Sequence, residues 1–326
     1  MNEEDIFDPP LLPPRLFADT DATHTPLVDD DDNDDLLSRT NACFTLACHL
    51  FYLFEFKAND MWASLFLTTV SGLSTGFGGF AVLMFGNPDF WKLGHMLSFS
   101  AGVMVYISFM DLLPEAVEEI GFFAANFWFF VGMAVFTVII WLVPEPDVSA
   151  LHKKDDDDTS SKASAKHAHL LMVGVIAAVG ISIHNLPEGV GVYLACMKGA
   201  KAGLPLTVAI AAHNIPEGMA VAAPIYHSTG SKWQAIKWAF LSGACEPLGA
   251  VIFGMLFTSW LTPVFINSCL AAVAGVMVLM SFRELIPTTL KYIQPEQAIY
   301  SLVTGMMFIF LSAYSLRWSF GLLNKA

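Results

Sequence analysis

Long apolar runs are the feature of this sequence that most restricts its fold. A run of about 20 apolar residues is long enough to cross a bilayer as a helix. Segments of roughly this length cover 61–85, 95–113, 122–143, 169–196, 203–226, 235–258, 262–282 and 297–319. Backbone polar groups in lipid must be satisfied within the segment itself, so each run is predicted to be helical. The chain is therefore expected to be an all-α integral membrane protein with eight transmembrane helices.

The overall composition agrees with this class and excludes others. Hydrophobic residues make up 55% of the 326 residues and charged residues only 14%. Ordinary soluble domains average about 45–50% and about 25%, respectively, so a soluble enzyme and a disordered protein are both excluded. The net charge of −14 argues against a nucleic-acid partner, which requires a concentrated basic surface.

Two polar stretches interrupt the apolar pattern. Residues 1–58 form an acidic tail that is predicted to be largely disordered, with an apolar segment at 42–56 that is short for a membrane span. A loop rich in His, Asp and Lys at 144–167 separates helices 1–3 (59–143) from helices 4–8 (168–326). The side with this loop holds slightly more Lys and Arg than the side with the termini, which places the loop in the cytosol.

A short polar motif occurs twice inside the predicted membrane region. The fourth segment contains HNLPEG at 184–189, and the fifth contains HNIPEG at 213–218. An ionisable group in a bilayer costs about 2.5–3.5 kcal/mol on insertion scales, so it is a functional candidate by default. Repeats on neighbouring spans commonly place a substrate site between them near the midplane.

The spacing within the motif suits a metal ion. His184 and Glu188 are four residues apart, as are His213 and Glu217, so each pair shares one face of its helix. Two imidazoles and two carboxylates are donors that Zn²⁺ accepts in tetrahedral geometry. The four side chains therefore predict a site for a divalent metal.

Further oxygen donors predict a second metal position beside the first. Asn185 and Asn214 each lie one residue beyond the histidines, and Glu246 lies at the centre of the sixth segment. These groups form an oxygen-rich set that would share the two repeated carboxylates in a binuclear arrangement. The candidate metal ligands are His184, Asn185, Glu188, His213, Asn214, Glu217 and Glu246.

Prolines and glycines accompany these polar residues. Pro187, Pro216 and Pro247 each remove a backbone donor and are expected to kink their helices. Gly189, Gly218, Gly243 and Gly249 are expected to let neighbouring helices approach closely.

These motifs, with the long loop after the third span, resemble the ZIP family of divalent-metal transporters and within it the GufA/ZupT-like branch. Three further segments support the resemblance: ISFMDL (107–112), PIYHSTGSKWQA (224–235) and SGACEPLG (242–249). The resemblance covers about residues 60–320. It implies an eight-helix bundle arranged 3+2+3 that moves Zn²⁺, and often Fe²⁺, Mn²⁺ or Cd²⁺, toward the cytosol. It also implies metal ligation by the same seven residues.

Two residues outside the motif are further candidates for a role in transport. Asp111, near the end of the second span, and Ser108, one turn before it, are candidates for lining the metal pathway. Alternatively, Asp111 is an acid at a helix end near the membrane surface. The family often has a His-Glu pair before Leu-Pro in the seventh span, where this chain has Arg283 and Glu284, and this departure leaves a ligand role there open.

Two other functions compete with transport, namely a zinc-dependent membrane hydrolase and a metal sensor. Zinc beside a glutamate can activate water, but a catalytic zinc site does not require a duplicated motif, so the repeat favours transport. The expected partners are divalent metal ions and lipid, without a cofactor other than the transported metal, and a homodimer is left open. The sequence does not select among the plasma membrane, endoplasmic reticulum, Golgi and vacuole.

Overall fold

The computed structural model describes residues 60–84, 89–142 and 160–319. The chain divides into two units, Met1–Leu50 and Phe51–Ala326, and all described residues belong to the second. The predicted acidic tail, its 42–56 segment and residues 143–159 of the predicted loop lie outside the described residues.

The described residues form helices and no strands. In chain order the helices are α1 (Met61–Met84), α2 (Phe90–Ile107), α3 (Leu113–Ile120), α4 (Phe122–Leu142), α5 (Ser160–Met197), α6 (Ala200–Thr229), α7 (Lys232–Gly243), α8 (Cys245–Phe257), α9 (Pro263–Met280), α10 (Ile286–Thr289) and α11 (Pro295–Ser319). A π-helical turn at Ser108–Leu112 joins α2 to α3, and another at Ser281–Leu285 joins α9 to α10. A 3₁₀ turn, Thr258–Trp260, follows α8.

Several of these helical stretches are long and apolar enough to cross a membrane. They are Phe90–Ile120, Phe122–Leu142, Lys232–Trp260, Pro263–Thr289 and Pro295–Leu316. These five coincide with the second, third, sixth, seventh and eighth predicted spans. The remaining predicted spans correspond to α1, α5 and α6, and both α5 and α6 carry the polar motif. The all-α membrane class is confirmed, and the number of eight crossings stays a prediction.

The helices pack in two groups that meet at the centre of the bundle. The first helix group contains α1, α5, α6, α7 and α8, and the second contains α2, α3, α4, α9 and α11. The two groups meet mainly where α2 packs on α6 and where α9 packs on α5. Large apolar side chains such as Phe123 and Trp141 are more than 80% exposed on the outside, as expected for a surface in contact with lipid.

A polar contact links the two helix groups at one end of the bundle. Lys198, directly after α5, donates to Glu115 Oε1 at 2.6 Å and to Asn267 Oδ1 at 2.8 Å. Since Asn267 lies in the first turns of α9, the end of α5 and the start of α9 are at the same end of the bundle. Helix α9 therefore runs back toward the side at which α5 begins.

Candidate metal centre

The predicted ligands of the repeated motif lie in the interior of the bundle. His184 is 7% exposed, and the other six predicted ligands are at most 2% exposed. Helices α5 and α6, which carry the two copies of the motif, pack against each other. Glu246 enters from the first turn of α8, after a turn at Ala244 that separates α7 from α8. Three acids are thus buried within one bundle, which requires a compensating charge or polar network.

Three of these side chains come together at distances suited to a metal. One ligand atom from each of Glu188, His213 and Glu217 lies within 4.8 Å of the other two. His213 Nε2 and Glu188 Oε1 are 3.3 Å apart. Ligand atoms bound tetrahedrally to one zinc ion at about 2.0–2.2 Å are themselves separated by about 3–4 Å. The three residues, called the central cluster below, could therefore hold one divalent ion with little movement.

Many polar atoms at this place have no hydrogen-bond partner among the described residues. The buried atoms without a partner are Asn185 Oδ1, Glu188 Oε2, Asn214 Oδ1, both carboxylate oxygens of Glu217, and Glu246 Oε2, while His213 Nε2 and Glu188 Oε1 contact each other. Buried polar atoms in folded proteins are nearly always hydrogen-bonded. Such a concentration of unpartnered acceptor oxygens indicates a binding site for a polar ligand.

The two asparagines are held so that their amide oxygens stay available. Asn185 Nδ2 donates to the Ser242 carbonyl at 3.1 Å, and Asn214 Nδ2 donates to the Ser71 carbonyl at 3.1 Å. Asn214 also donates to Glu246. Because the amide nitrogens donate to carbonyls of α7 and α1, the amide oxygens of both asparagines remain available as ligands.

His184 has a different partner from the one that its spacing predicted. Its Nε2 atom lies 2.9 Å from Glu284 Oε2, and it is not a member of the central cluster. Glu284 belongs to the π-helical turn after α9, and its side chain is 24% exposed. The His184–Glu284 pair therefore lies between the buried cluster and the side of the bundle at which α5 begins. The sequence has Arg283 and Glu284 where the family often has a His-Glu pair, and this leaves a ligand role there open. The fold brings Glu284 into contact with His184 of the motif.

The two predicted pathway residues lie in the first π-helical turn. Ser108 is fully buried, and its hydroxyl donates to the carbonyl of Met104 at 2.8 Å. Asp111 is half-buried and is not a member of the central cluster. Their role in a metal pathway stays a prediction.

Comparison with known proteins identifies the family. The family model for the ZIP zinc transporter matches residues 144–313, which is more than half of the chain. The chain belongs to the ZIP zinc transporter family. The resemblance of its motifs to this family is thereby confirmed.

Relatives from three different organisms match most of the chain. Protein zntB of Dictyostelium discoideum is 45% identical over 310 residues, covering 79% of this chain and 83% of that protein. Zinc transporter ZTP29 of Arabidopsis thaliana is 42% identical, covering 80% of this chain and 97% of the plant protein. Zinc transporter ZupT of Corynebacterium efficiens is 42% identical, covering 74% and 92% of the two chains. The family is one of transmembrane transport of zinc and related divalent metals rather than catalysis.

This ZIP chain contains a second internal repeat in addition to the polar motif. AGVMVYISFMDLLP (101–114) and AGVMVLMSFRELIP (274–287) are identical at nine of fourteen positions. Both segments contain a π-helical turn, and in each the serine hydroxyl donates to a methionine carbonyl four residues earlier. In this alignment Asp111 corresponds to Glu284. Comparing the chain with itself, rather than scanning for ionisable residues, would have revealed Glu284 as a candidate.

A third repeat relates α1 to the junction of α7 and α8. The segments are SGLSTGFG (71–78) and SGACEPLG (242–249), and each serine carbonyl accepts from one of the two motif asparagines. Gly189 lies directly against the backbone of Glu246, and Gly218 lies in the same way against the backbone of Thr75. The close approach predicted at these two glycines is confirmed.

Together, the repeats give the two halves of the site corresponding contacts, as expected for an approximate twofold axis. They pair α5 with α6, α1 with α7–α8, and α2–α3 with α9–α10. Inverted repeats that place a substrate site at their interface are a recurring architecture of secondary transporters. In this chain, Thr75 is the residue that corresponds to Glu246.

Proposed function

We propose that this protein carries a divalent metal ion, zinc in the first place, across the membrane through the site between α5, α6 and α8. The observation that supports this proposal most directly is the buried central cluster with its unpartnered ligand atoms. Carboxylates in a membrane interior are costly unless a cation or polar network compensates them. A transported cation supplies that compensation and, unlike a permanent ion pair, leaves the site afterwards.

The donor set favours zinc and admits other ions. His213 supplies imidazole nitrogen, while Glu188 and Glu217 supply carboxylate oxygen, which is a mixture that zinc accepts well. Imidazole and carboxylate donors also bind Fe²⁺ and Mn²⁺, and selectivity depends on geometry and metal availability as much as on donor type. We therefore propose zinc as the main cargo and Fe²⁺, Mn²⁺ and Cd²⁺ as secondary cargo.

The free oxygens beside the central cluster support a second metal position. Asn185 Oδ1, Asn214 Oδ1 and Glu246 Oε2 are buried without partners. They would bind a second ion together with the carboxylates of Glu188 and Glu217, so that the two ions share these acids. Such a binuclear arrangement distributes the three carboxylate charges over two cations.

We propose that metal leaves toward the side at which α5 begins, past His184 and Glu284. The 24% exposure of the Glu284 side chain, in contrast to the nearly complete burial of the central cluster, supports this direction. The charge distribution of the sequence assigns this side to the cytosol. Ser108 and Asp111 correspond to Ser281 and Glu284 in the repeat. They would line the path by which metal enters from the other side of the membrane.

Zinc uptake into proteoliposomes that contain a zinc-sensitive dye tests the proposed function. Wild type should give zinc influx, and Glu217→Gln should reduce it to the level of empty liposomes because one of the three central ligands loses its charge. Glu118→Gln is the matched control, because Glu118 is exposed on α3. Wild-type influx in the Glu217→Gln variant would refute the assignment of the site. Zinc binding without influx in wild type would point to a sensor, and absence of influx combined with hydrolytic activity would point to an enzyme.

A further inference from the structure

The approximate twofold axis brings a neutral residue to the place that corresponds to a carboxylate. Glu246 lies four residues after Ser242, and Thr75 lies four residues after Ser71, so each shares a helical face with a serine that anchors a motif asparagine. The backbone of Thr75 contacts Gly218, the residue after Glu217. Thr75 therefore lies beside the turn of α6 that carries Glu217, and its Cβ faces Gly243 of α7 as the Cβ of Glu246 faces Gly72 of α1.

The hydroxyl of Thr75 is unusual among the hydroxyl groups of α1. Thr68 donates to the Ser64 carbonyl at 2.8 Å, and Thr69 donates to the Leu65 carbonyl at 2.7 Å. This bond to the carbonyl four residues earlier is the usual one for a threonine inside a helix. Thr75 is fully buried, and its Oγ1 has no partner among the described residues.

The reason is that the expected acceptor of Thr75 is already occupied. The Ser71 carbonyl accepts from Asn214 Nδ2 at 3.1 Å and from the Ser74 hydroxyl at 2.6 Å. A buried hydroxyl without a partner destabilises the protein, so its presence beside the cluster requires another explanation. A bound cation would take a lone pair of Oγ1, and the hydroxyl hydrogen would then donate to a carboxylate oxygen or a water molecule beside the cation.

We propose that the Thr75 hydroxyl is an additional oxygen ligand of the transported metal, placed across the approximate twofold axis from Glu246. This inference rests on the proposed function. Because a hydroxyl is a weaker and neutral donor, the site keeps three carboxylates instead of four. Thr75 thus contributes a ligand from α1 without adding a negative charge that would slow release of the cation.

The test compares Thr75→Val with Thr75→Ser in zinc uptake by proteoliposomes. Valine has the same shape without the hydroxyl, so KM for zinc should rise by about threefold to tenfold, the loss expected for one uncharged ligand contact. Serine keeps the hydroxyl and should keep the wild-type KM. The melting temperature of Thr75→Val without added metal should equal or exceed that of wild type, because an unsatisfied hydroxyl is removed.

Thr68→Val is the matched control, because its hydroxyl is already bonded within α1. It should lower the melting temperature and leave KM unchanged. An unchanged KM in Thr75→Val, or a variant too unstable to purify, would overturn the inference, since the hydroxyl would then be unimportant or structural. If Glu217→Gln abolishes uptake while Thr75→Val leaves KM unchanged, the inference fails and the proposed function stands. If Glu217→Gln keeps wild-type uptake, both fail.

Discussion

The contact between His184 and Glu284 gives the most specific prediction about transport. Glu284 Oε2 lies 2.9 Å from His184 Nε2, and the glutamate side chain is 24% exposed. Carboxylates that fix the ring of a metal-binding histidine commonly contribute about 10–100-fold to metal affinity. Because water reaches Glu284 and can replace part of the lost contact, we expect an effect near the lower end of this range.

Two substitutions separate the contribution of the Glu284 charge from that of its whole contact with His184. Glu284→Gln keeps the shape and an oxygen acceptor but loses the charge, which roughly halves the strength of such a hydrogen bond. The ratio Vmax/KM for zinc should therefore fall by about threefold to fivefold in Glu284→Gln and by about tenfold in Glu284→Ala, where the whole contact is lost. The order of wild type, glutamine and alanine follows from the geometry of the pair.

Initial rates of zinc uptake in proteoliposomes, measured over a range of zinc concentrations, provide the assay. Glu118→Ala serves as the control because Glu118 is exposed on α3, and its Vmax/KM should equal that of wild type. If both Glu284 variants had the wild-type Vmax/KM, the pair would have no part in holding His184 for transport. If alanine and glutamine gave equal losses, the charge alone would matter, and the reasoning from the hydrogen bond would be refuted.

Two further predictions concern packing and protons. Gly189→Ala should lower the free energy of unfolding by about 1–3 kcal/mol or prevent folding, because the new Cβ would overlap the backbone of Glu246. Gly180→Ala, where the structure leaves open space on the same helix, should raise the free energy of unfolding by up to about 1 kcal/mol, and thermal unfolding in detergent measures both. Zinc uptake should fall as the pH is lowered, because protons compete with the metal for the side chains of the central cluster; uptake that rises on acidification in the absence of a membrane potential would contradict this.

The sequence by itself determined the membrane class and most of the candidate site. The length of the apolar runs decides that the chain crosses a membrane as helices, because hydrocarbon leaves the backbone no other partner. The motif at 184–189 and its copy at 213–218 identified the three residues of the central cluster, because a spacing of four residues places side chains on one face of a helix. The glycines of the motif were likewise recognisable as points of close approach, because Gly189 has no Cβ to separate it from its neighbour.

Only the tertiary structure decided which polar groups meet across helices. The spacing in the motif grouped His184 with Glu188, but the fold pairs His184 with Glu284, which is distant in the sequence and comes from α9. The same holds for Thr75, which is one of many hydroxyl residues in the sequence. It became a candidate ligand because Asn214, from another helix, occupies the Ser71 carbonyl that Thr75 would otherwise use. Contacts within a helix follow from local periodicity, whereas contacts between helices depend on how the repeats pack around their common axis.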